Sequence, residues 1–276
     1  PIIVDDKAGL PFYDHSGLPA KDCLYLFMRL ESDDNLIFDQ ALSRVQSAGE
    51  PSVLIAVNEI ADLGQEFWRF EMATAVIGAV LKINPFDQPD VEAAKIGAQQ
   101  AMAAWQENGR LPEPERLLDS STLKISGSHH FSSVSSLENA LKVFVGAVQP
   151  GNYIAIMAYL PEEESLQQIL QYLEKSLHEY CRVPITLGFG PRFLHSTGQL
   201  HKGDGNNGLF LQLTGGLEED LELSGNDYSF ATLIAAQAQG DYDALLSKDR
   251  RVLALHWHSI DVEKAVSNLL ETVRNL

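Results

Sequence analysis

The sequence is poor in cysteine and in basic residues, and it lacks long apolar runs. Its two cysteines, Cys23 and Cys181, are too few for a disulfide framework and favour a reducing compartment, so we expect a cytoplasmic protein. Lys and Arg number 20 against 38 Asp and Glu, and the resulting net charge of −18 would repel nucleic-acid phosphates. No apolar stretch approaches the roughly 20 residues that a transmembrane helix needs. These absences exclude disulfide scaffolds, nucleic-acid-binding proteins and membrane-spanning proteins.

Motifs of several common enzyme classes are also missing. No Gly-rich dinucleotide fingerprint occurs, and the run GDGNNG at 203–208 lacks the Lys-Ser/Thr pair of a P-loop. Gly-x-Ser-x-Gly is absent, which argues against an α/β-hydrolase. Paired histidines occur at 129–130 and at 256 and 258, without a recognisable spacing to a third metal ligand. The sequence therefore predicts no metal and no organic cofactor.

What is present is an alternation of apolar strands with helices. Short apolar runs predict strands at 23–30, 52–57, 123–125, 153–159, 185–188, 209–213 and 252–256. Helical periodicity predicts helices over 34–48, 60–82, 91–107 and 162–179. The helix over 60–82 is apolar nearly all round, so we expect it to be buried. This order predicts an α/β fold: a three-layer α/β/α sandwich with a mainly parallel sheet, plus a helical segment near 60–107.

One segment has the composition of a domain boundary. Residues 108–120 (NGRLPEPERLLDS) contain two prolines, a glycine and alternating charges. We therefore predict a first domain over 1–112 and a second, α/β/α unit over 118–276. Because the chain begins with Pro1 rather than Met, we expect further sequence upstream.

The most specific pattern lies in residues 49–95, which end in INPFDQPDVEAAK. They resemble the closing segment of glucose-6-phosphate isomerases, in which a Gly and, seven residues on, a Glu lie in a buried helix before the signature INxFDQxGVExxK. Asp90 departs from this pattern, because the family has Gly or Ala there. A second stretch, 188–215, is similar to the C-terminal region of bacterial transaldolase–isomerase fusions. The positions that match the isomerase pattern are Gly64, Glu71, Ile83, Asn84, Phe86, Asp87, Gln88, Val91, Glu92 and Lys95.

The resemblance implies a reaction and roles for two residues. The reaction is the interconversion of glucose 6-phosphate and fructose 6-phosphate through ring opening and an enediol, without a cofactor. Lys95 would act at the ring-opening end, and Gln88 would lie close to the bound sugar phosphate. The alternative for Lys95 is a side chain that reaches solvent from an Ala-rich helix.

The resemblance also implies that this chain is incomplete. The family's Ser/Thr-rich phosphate loop, its arginine and its catalytic glutamate precede the signature, and no such set occurs upstream of residue 84. We therefore expect the chain to be inactive alone and to need an upstream isomerase portion, fused to a transaldolase, in the same polypeptide. Family isomerases assemble as dimers with shared sites, so the resemblance further implies a homodimer.

A second candidate site follows the predicted strand at 185–188. The run GFGPR (188–192) reads as a strand end, a glycine turn and a helix N-terminus that carries an arginine, which is a plausible anion site. The predicted substrate-binding residues of this segment are Arg192, Ser196, Thr197 and Lys202.

His201 is the candidate catalytic residue of the same segment. Its surroundings, QLHKG, are similar to the QLxHxG around the isomerase family's catalytic histidine, although the family's histidine precedes the FDQ signature and His201 follows it. The alternative is that His201 and Lys202 complement the dipole at a helix C-terminus. A second function class therefore stays open: a non-catalytic sugar-phosphate-binding or assembly module.

Overall fold

The computed structural model describes residues 24–33, 35–87, 89–132, 134–195, 197–215, 220–258 and 261–276. The chain divides into two compact units, residues 3–88 and residues 89–276. Within the described ranges, the helices lack the combination of length and apolarity that crossing a bilayer requires.

Unit 1, residues 3–88, is built around two parallel strands joined by a helix. Strands β1 and β2 pair along their whole length, and α1 packs Leu42 and Val45 against Tyr25 and Phe27 of β1. Continuous apolar runs are typical of parallel strands, which explains why both strands were predictable. The elements in chain order are β1 (Tyr25–Leu30), α1 (Leu36–Ser47), β2 (Ser52–Val57), a 3₁₀ turn (Ile60–Asp62) and α2 (Leu63–Leu81).

Helix α2 is not buried, contrary to the prediction from its apolar sequence. Phe67 and Trp68 are about two-thirds exposed, and Val80 is exposed by 74%. The buried residues of α2 are Glu66 and Gly78. A two-stranded sheet offers little surface, so it leaves most of a helix that is apolar all round uncovered. The apolar face of α2 is therefore a surface without a partner among the described residues of unit 1.

Unit 2, residues 89–276, is a three-layer α/β/α sandwich around a six-stranded sheet. Its elements are α3 (Pro89–Asn108), β3 (Arg116–Asp119), β4 (Leu123–Gly127), a 3₁₀ turn (His129–Phe131), α4 (Leu137–Gly146), β5 (Tyr153–Tyr159), α5 (Glu164–Cys181), β6 (Ile185–Phe189), a 3₁₀ turn (Arg192–His195), α6 (Gly198–Gly203), β7 (Gly208–Gly215), α7 (Phe230–Ser247), β8 (Arg251–Trp257) and α8 (Val262–Arg274).

The sheet has the order β3-β4-β8-β7-β5-β6. Strands β8, β7, β5 and β6 are parallel, while β4 and β3 are antiparallel at one edge. The predicted α/β fold with a mainly parallel sheet is thereby confirmed. Strand β3 lies inside the segment 108–120, for which the sequence indicated only a boundary.

Each face of the sheet is covered by helices. On one face, α4, α5 and α8 pack against alternate residues of β5, such as Ile154 and Ile156. On the other face, Tyr153 and Met157 of β5 pack against α7 and the segment around Phe193. Because β5 is covered on both sides, every one of its residues is buried. This explains the unbroken apolar run at 153–159.

Helix α3 packs against α7 and thus belongs to unit 2. The two helices approach so closely that a Cβ added to Gly240 would lie 2.4 Å from the backbone nitrogen of Ala98. Only glycine permits this contact at position 240. The division of the chain at residues 88 and 89 therefore falls before α3, whereas the predicted first domain runs to residue 112. As a statement about domains of a larger protein, the limits 1–112 and 118–276 stay a prediction.

Candidate functional site

Lys95 lies on the solvent-facing side of α3. Its Nζ is 3.7 Å from Oε2 of Glu92, one turn earlier, and its side chain is 55% exposed. Exposed pairs of this kind are weak, typically below about 1 kcal/mol. Gln88 lies outside the described residues. Within this chain, Lys95 is therefore a half-exposed lysine with one loosely held partner.

Asp90, the residue that departs from the isomerase pattern, has a structural role in unit 2. Its Oδ2 accepts a hydrogen bond from Nε2 of Gln199 (2.8 Å), and its backbone N–H donates to Oε1 of the same side chain (3.1 Å). Its Oδ1 is 2.9 Å from Nζ of Lys248. Asp90 is buried, so these contacts compensate a carboxylate that has left water. Asp90 thereby links α3 to α6 and to the end of α7.

The predicted anion site after β6 is not assembled as expected. The guanidinium of Arg192 is 73% exposed and donates to Oε1 of Glu162 at 2.6 Å. The first turn after Pro191 is a 3₁₀ turn of four residues, and α6 begins only at Gly198. Such a short turn has too few aligned peptides for a strong positive end. Arg192 is thus occupied by a carboxylate at the surface.

Of the two predicted residues that follow this turn in the sequence, Ser196 and Thr197, only one can be described. Thr197 is half-buried, and its hydroxyl donates to the carbonyl oxygen of Phe193 at 3.4 Å. That bond lies within the local turn, so the hydroxyl does not face an open site. Ser196 lies outside the described residues.

His201 is a core residue rather than a solvent-facing one. It is only 5% exposed, and its ring lies 5.3 Å from Phe210, 5.8 Å from Phe193 and 6.4 Å from Tyr153, measured between centroids. Burial, with a smaller effect of the Lys202 charge, lowers the pKa of His201 to about 3. Its Nδ1 has no hydrogen-bond partner among the described residues. His201 is therefore a neutral imidazole held among aromatic rings.

Lys202 forms a buried ion pair with Asp241 of α7. The two side chains are 1% and 0% exposed, and the Lys202 Nζ also reaches the carbonyl oxygen of Gly198 at 3.5 Å. Burial raises the pKa of Asp241, although the charge of Lys202 acts in the opposite direction. The hydroxyl of Tyr159 lies close by, and burial followed by the Asp241 charge raises its pKa well above the usual value.

The role of Lys202 is thus internal. Its charge neither binds a ligand at the surface nor complements a solvent-exposed helix end. The Asp241 carboxylate and the Tyr159 hydroxyl are buried beside each other and interact electrostatically. The pair fixes α6 to α7, because separating the two charges would leave each one buried without compensation.

The loop at 203–208 is fixed by a second buried ion pair. The Asp204 carboxylate accepts hydrogen bonds from the Tyr153 hydroxyl (2.7 Å) and the Gly208 N–H (3.2 Å), and it lies 3.2 Å from the Arg250 guanidinium. Arg250 also donates to the carbonyl oxygens of Lys202 (2.6 Å) and Asp204 (2.9 Å). Sequence reasoning missed this pair. The available signal was Asp204 between two glycines, which is typical of a turn held by its own side chain.

Surface grooves lie away from the predicted residues. One groove, of about 470 Å³, runs between α5 and α8, and another, of about 410 Å³, lies on α2 of unit 1. None of the predicted catalytic or substrate-binding residues that the structure describes lines either groove, whereas Gly64 of the isomerase pattern lines the one on α2. The first is lined by Tyr172, Lys175, Ser176, Glu179, Tyr180, Val273 and Arg274.

One cluster could hold a metal ion. His129, His130 and Asp249 each direct a ligand atom to a common region, and these atoms lie within 4.8 Å of one another. The sequence predicted no metal, because the carboxylate comes from a distant part of the chain.

Comparison with known proteins shows a distant relationship to a glucose-6-phosphate isomerase. No protein-family model matches the chain. The glucose-6-phosphate isomerase of Fusobacterium nucleatum is 31% identical over 94 residues, which are 33% of this chain and 18% of that protein. The chain thus spans less than a fifth of the curated relative that it matches. A hypothetical protein from Thermus thermophilus, of known crystal structure, is 14% identical with a TM-score of 0.42, over 90% of this chain and 56% of that one.

Proposed function

We propose that this chain is the C-terminal part of a glucose-6-phosphate isomerase that is fused upstream to a transaldolase. The complete protein would interconvert glucose 6-phosphate and fructose 6-phosphate through ring opening and an enediol, without a cofactor. The observation that carries the proposal is the segment 83–95, together with the 31% identity to an isomerase over 94 residues. The match covers a third of the chain, so the proposal applies first to that part.

Lys95 has the chemistry that ring opening requires. A proton must move between the ring oxygen and the anomeric hydroxyl, and an ammonium group at the ring oxygen can supply it. The present partner of Lys95 is one exposed carboxylate at 3.7 Å. Exchanging that partner for a bound hexose costs little, because exposed ion pairs contribute under about 1 kcal/mol. We propose that polypeptide beyond this chain encloses Lys95 together with Gln88 and the sugar phosphate.

The exposed apolar face of α2 supports the need for further polypeptide. Phe67, Trp68 and Val80 are each exposed by more than half. Large exposed apolar side chains along one helix are typical of a surface that another polypeptide covers. The proposed cover is the upstream isomerase portion, and the proposed assembly is a homodimer.

A coupled isomerase assay tests the proposal on the full-length protein and on the 276-residue chain. Lys95→Ala in the full-length protein is expected to lower kcat/KM by about 10²–10⁴-fold, as removal of a positioned acid or base does. Lys142→Ala is the matched control, because Lys142 is 52% exposed and pairs with Glu138 on its own helix at 2.5 Å. The control should retain full activity, and the isolated chain should show little turnover.

Two results would contradict this account. Full activity of the Lys95→Ala variant would remove Lys95 from the mechanism. Strong turnover by the isolated chain would show that the base and the phosphate ligands are present in it after all.

The second candidate function is a non-catalytic sugar-phosphate-binding or assembly module. The burial of His201 and Lys202 favours it for unit 2, since neither side chain can meet a substrate in this chain. It predicts that the full-length protein shows no isomerase turnover. Calorimetric titration with fructose 6-phosphate then separates a binding module from an assembly module, which binds nothing.

A further inference from the structure

The cluster of His129, His130 and Asp249 forms where two strands of unit 2 meet. The histidines lie in the 3₁₀ turn that follows β4, and Asp249 lies in the turn that precedes β8. Strands β4 and β8 are antiparallel neighbours, with Gly127 opposite Leu253, so the end of one meets the start of the other. The fold thereby brings two imidazoles and a carboxylate together where β4 ends and β8 begins, with their ligand atoms within 4.8 Å of one another.

The ring of His130 is oriented by a buried hydroxyl. Its Nδ1 lies 3.3 Å from Oγ of Ser128, and that oxygen also accepts the N–H of Val252 in β8 at 3.3 Å. Ser128 is buried, so the hydroxyl has a fixed position. Metal-bound histidines usually hydrogen-bond through the nitrogen that does not bind the metal. The Ser128 contact thus leaves Nε2 as the nitrogen of His130 that is available to a metal.

Asp249 and His129 complete the arrangement. Asp249 has the left-handed φ of +57°, and its N–H donates to the carbonyl oxygen of Leu246 at 2.9 Å, so the turn fixes its direction. Its Oδ1 lies 3.6 Å from Nδ1 of His129, whose ring stacks on that of His130 with 4.1 Å between centroids.

We propose that His129, His130 and Asp249 form a three-ligand site for a divalent ion of the zinc class. Two imidazoles and a carboxylate suit Zn²⁺, and three protein ligands leave the fourth tetrahedral position for water. Bonds of the usual length around such an ion place neighbouring donor atoms about 3.3 Å apart. The donors here lie within 4.8 Å of one another, so small side-chain rotations close the remaining gap. This inference does not depend on the proposed isomerase function.

Calorimetric titration of the chelator-stripped, untagged 276-residue chain with ZnCl₂ tests the site. We expect one Zn²⁺ per chain and a rise in melting temperature. His129→Ala, His130→Ala and Asp249→Asn should each weaken binding by at least about tenfold, and Ser128→Ala should weaken it less. Asn is chosen at position 249 because it tolerates the left-handed backbone while removing the charge.

His258→Ala is the matched control. His258 is a partly exposed histidine at the other end of β8, with its Nε2 3.9 Å from Asp119. The His258→Ala variant should bind Zn²⁺ with the affinity of the wild type. Unchanged affinity in the three ligand variants, loss of affinity in the control, or no binding by the wild type would each overturn the proposal. Melting temperatures measured without metal identify any variant that fails to fold.

Discussion

The burial of His201 predicts a specific loss of stability on acidification. In the unfolded chain its pKa is near 6.5, whereas in the fold burial lowers it to about 3. A group with a lowered pKa favours the folded state while it is deprotonated. Its stabilisation is therefore fully present above pH 6.5 and is lost as the pH falls towards 3. His201→Phe removes this titration and leaves an aromatic ring among Tyr153, Phe193 and Phe210.

The size of the effect follows from proton linkage. Within this window, each pH unit lowers the free energy of unfolding by about 1.4 kcal/mol for one proton. Between about pH 7.5 and pH 5, the His201 contribution is about 2 kcal/mol. This figure changes little with the folded pKa of His201, provided that it stays below about 4.

Urea denaturation at several pH values measures this contribution. The fluorescence of Trp257, which is buried in β8, reports on the unfolding of unit 2. Carboxylates also titrate in this range, but they do so equally in the wild type and in the variant. The difference between the two proteins therefore isolates the imidazole at position 201.

The wild type should lose about 2 kcal/mol more than His201→Phe between pH 7.5 and pH 5. Parallel stability curves for the two proteins would refute the reasoning. They would mean that the imidazole accepts a proton in the folded state, through an opening to solvent or through a partner for its Nδ1.

Three further predictions concern packing in unit 2. Lys202→Met should lower the free energy of unfolding by about 3–5 kcal/mol, because it leaves Asp241 buried and unpaired. Adding Asp241→Leu should restore most of this loss, as measured by urea denaturation. A double variant as unstable as the single one would contradict the pairing. Gly240→Ala should destabilise by about 1–3 kcal/mol, since its Cβ would meet backbone of α3 at 2.4 Å. Gly146→Ala, with open space around it, should stabilise by about 0.5 kcal/mol, and thermal melts that rank the two variants the other way would disprove the clash. Asp90→Ala should cost about 1–3 kcal/mol through its lost hydrogen bonds, so an unchanged melting temperature would exclude the linking role.

The sequence predicted those strands and helices whose formation depends mainly on their own residues. Strands β2 and β5 have the predicted bounds, because a short apolar run between polar ends has few alternatives to a buried strand. Strand β3 was missed, since its four residues follow two prolines and pair only at a sheet edge. The burial of α2 was predicted wrongly, because an apolar surface indicates that a partner is needed and does not supply one.

The candidate site was less predictable, since its properties depend on residues far apart in the chain. The segment QLHKG does not show that Lys202 pairs with Asp241, which lies 39 positions later on another helix. It also does not show that three aromatic rings enclose His201. Likewise, His129 and His130 acquire a third ligand only because β4 and β8 are neighbours.

Gly97 of α3 and Gly240 of α7 are in close backbone contact: a Cβ added to Gly97 would lie 3.0 Å from the Cα of Gly240. This contact has a practical consequence for preparing shorter forms of the protein. Proteases favour exposed loops with small or polar residues, such as the one between α3 and β3, and a cut there should leave α3 attached to the larger product without a covalent bond. A recombinant form that starts after this stretch would lack α3 and would bare the groove around Gly240. A shortened protein that is meant to fold should therefore begin no later than Pro89.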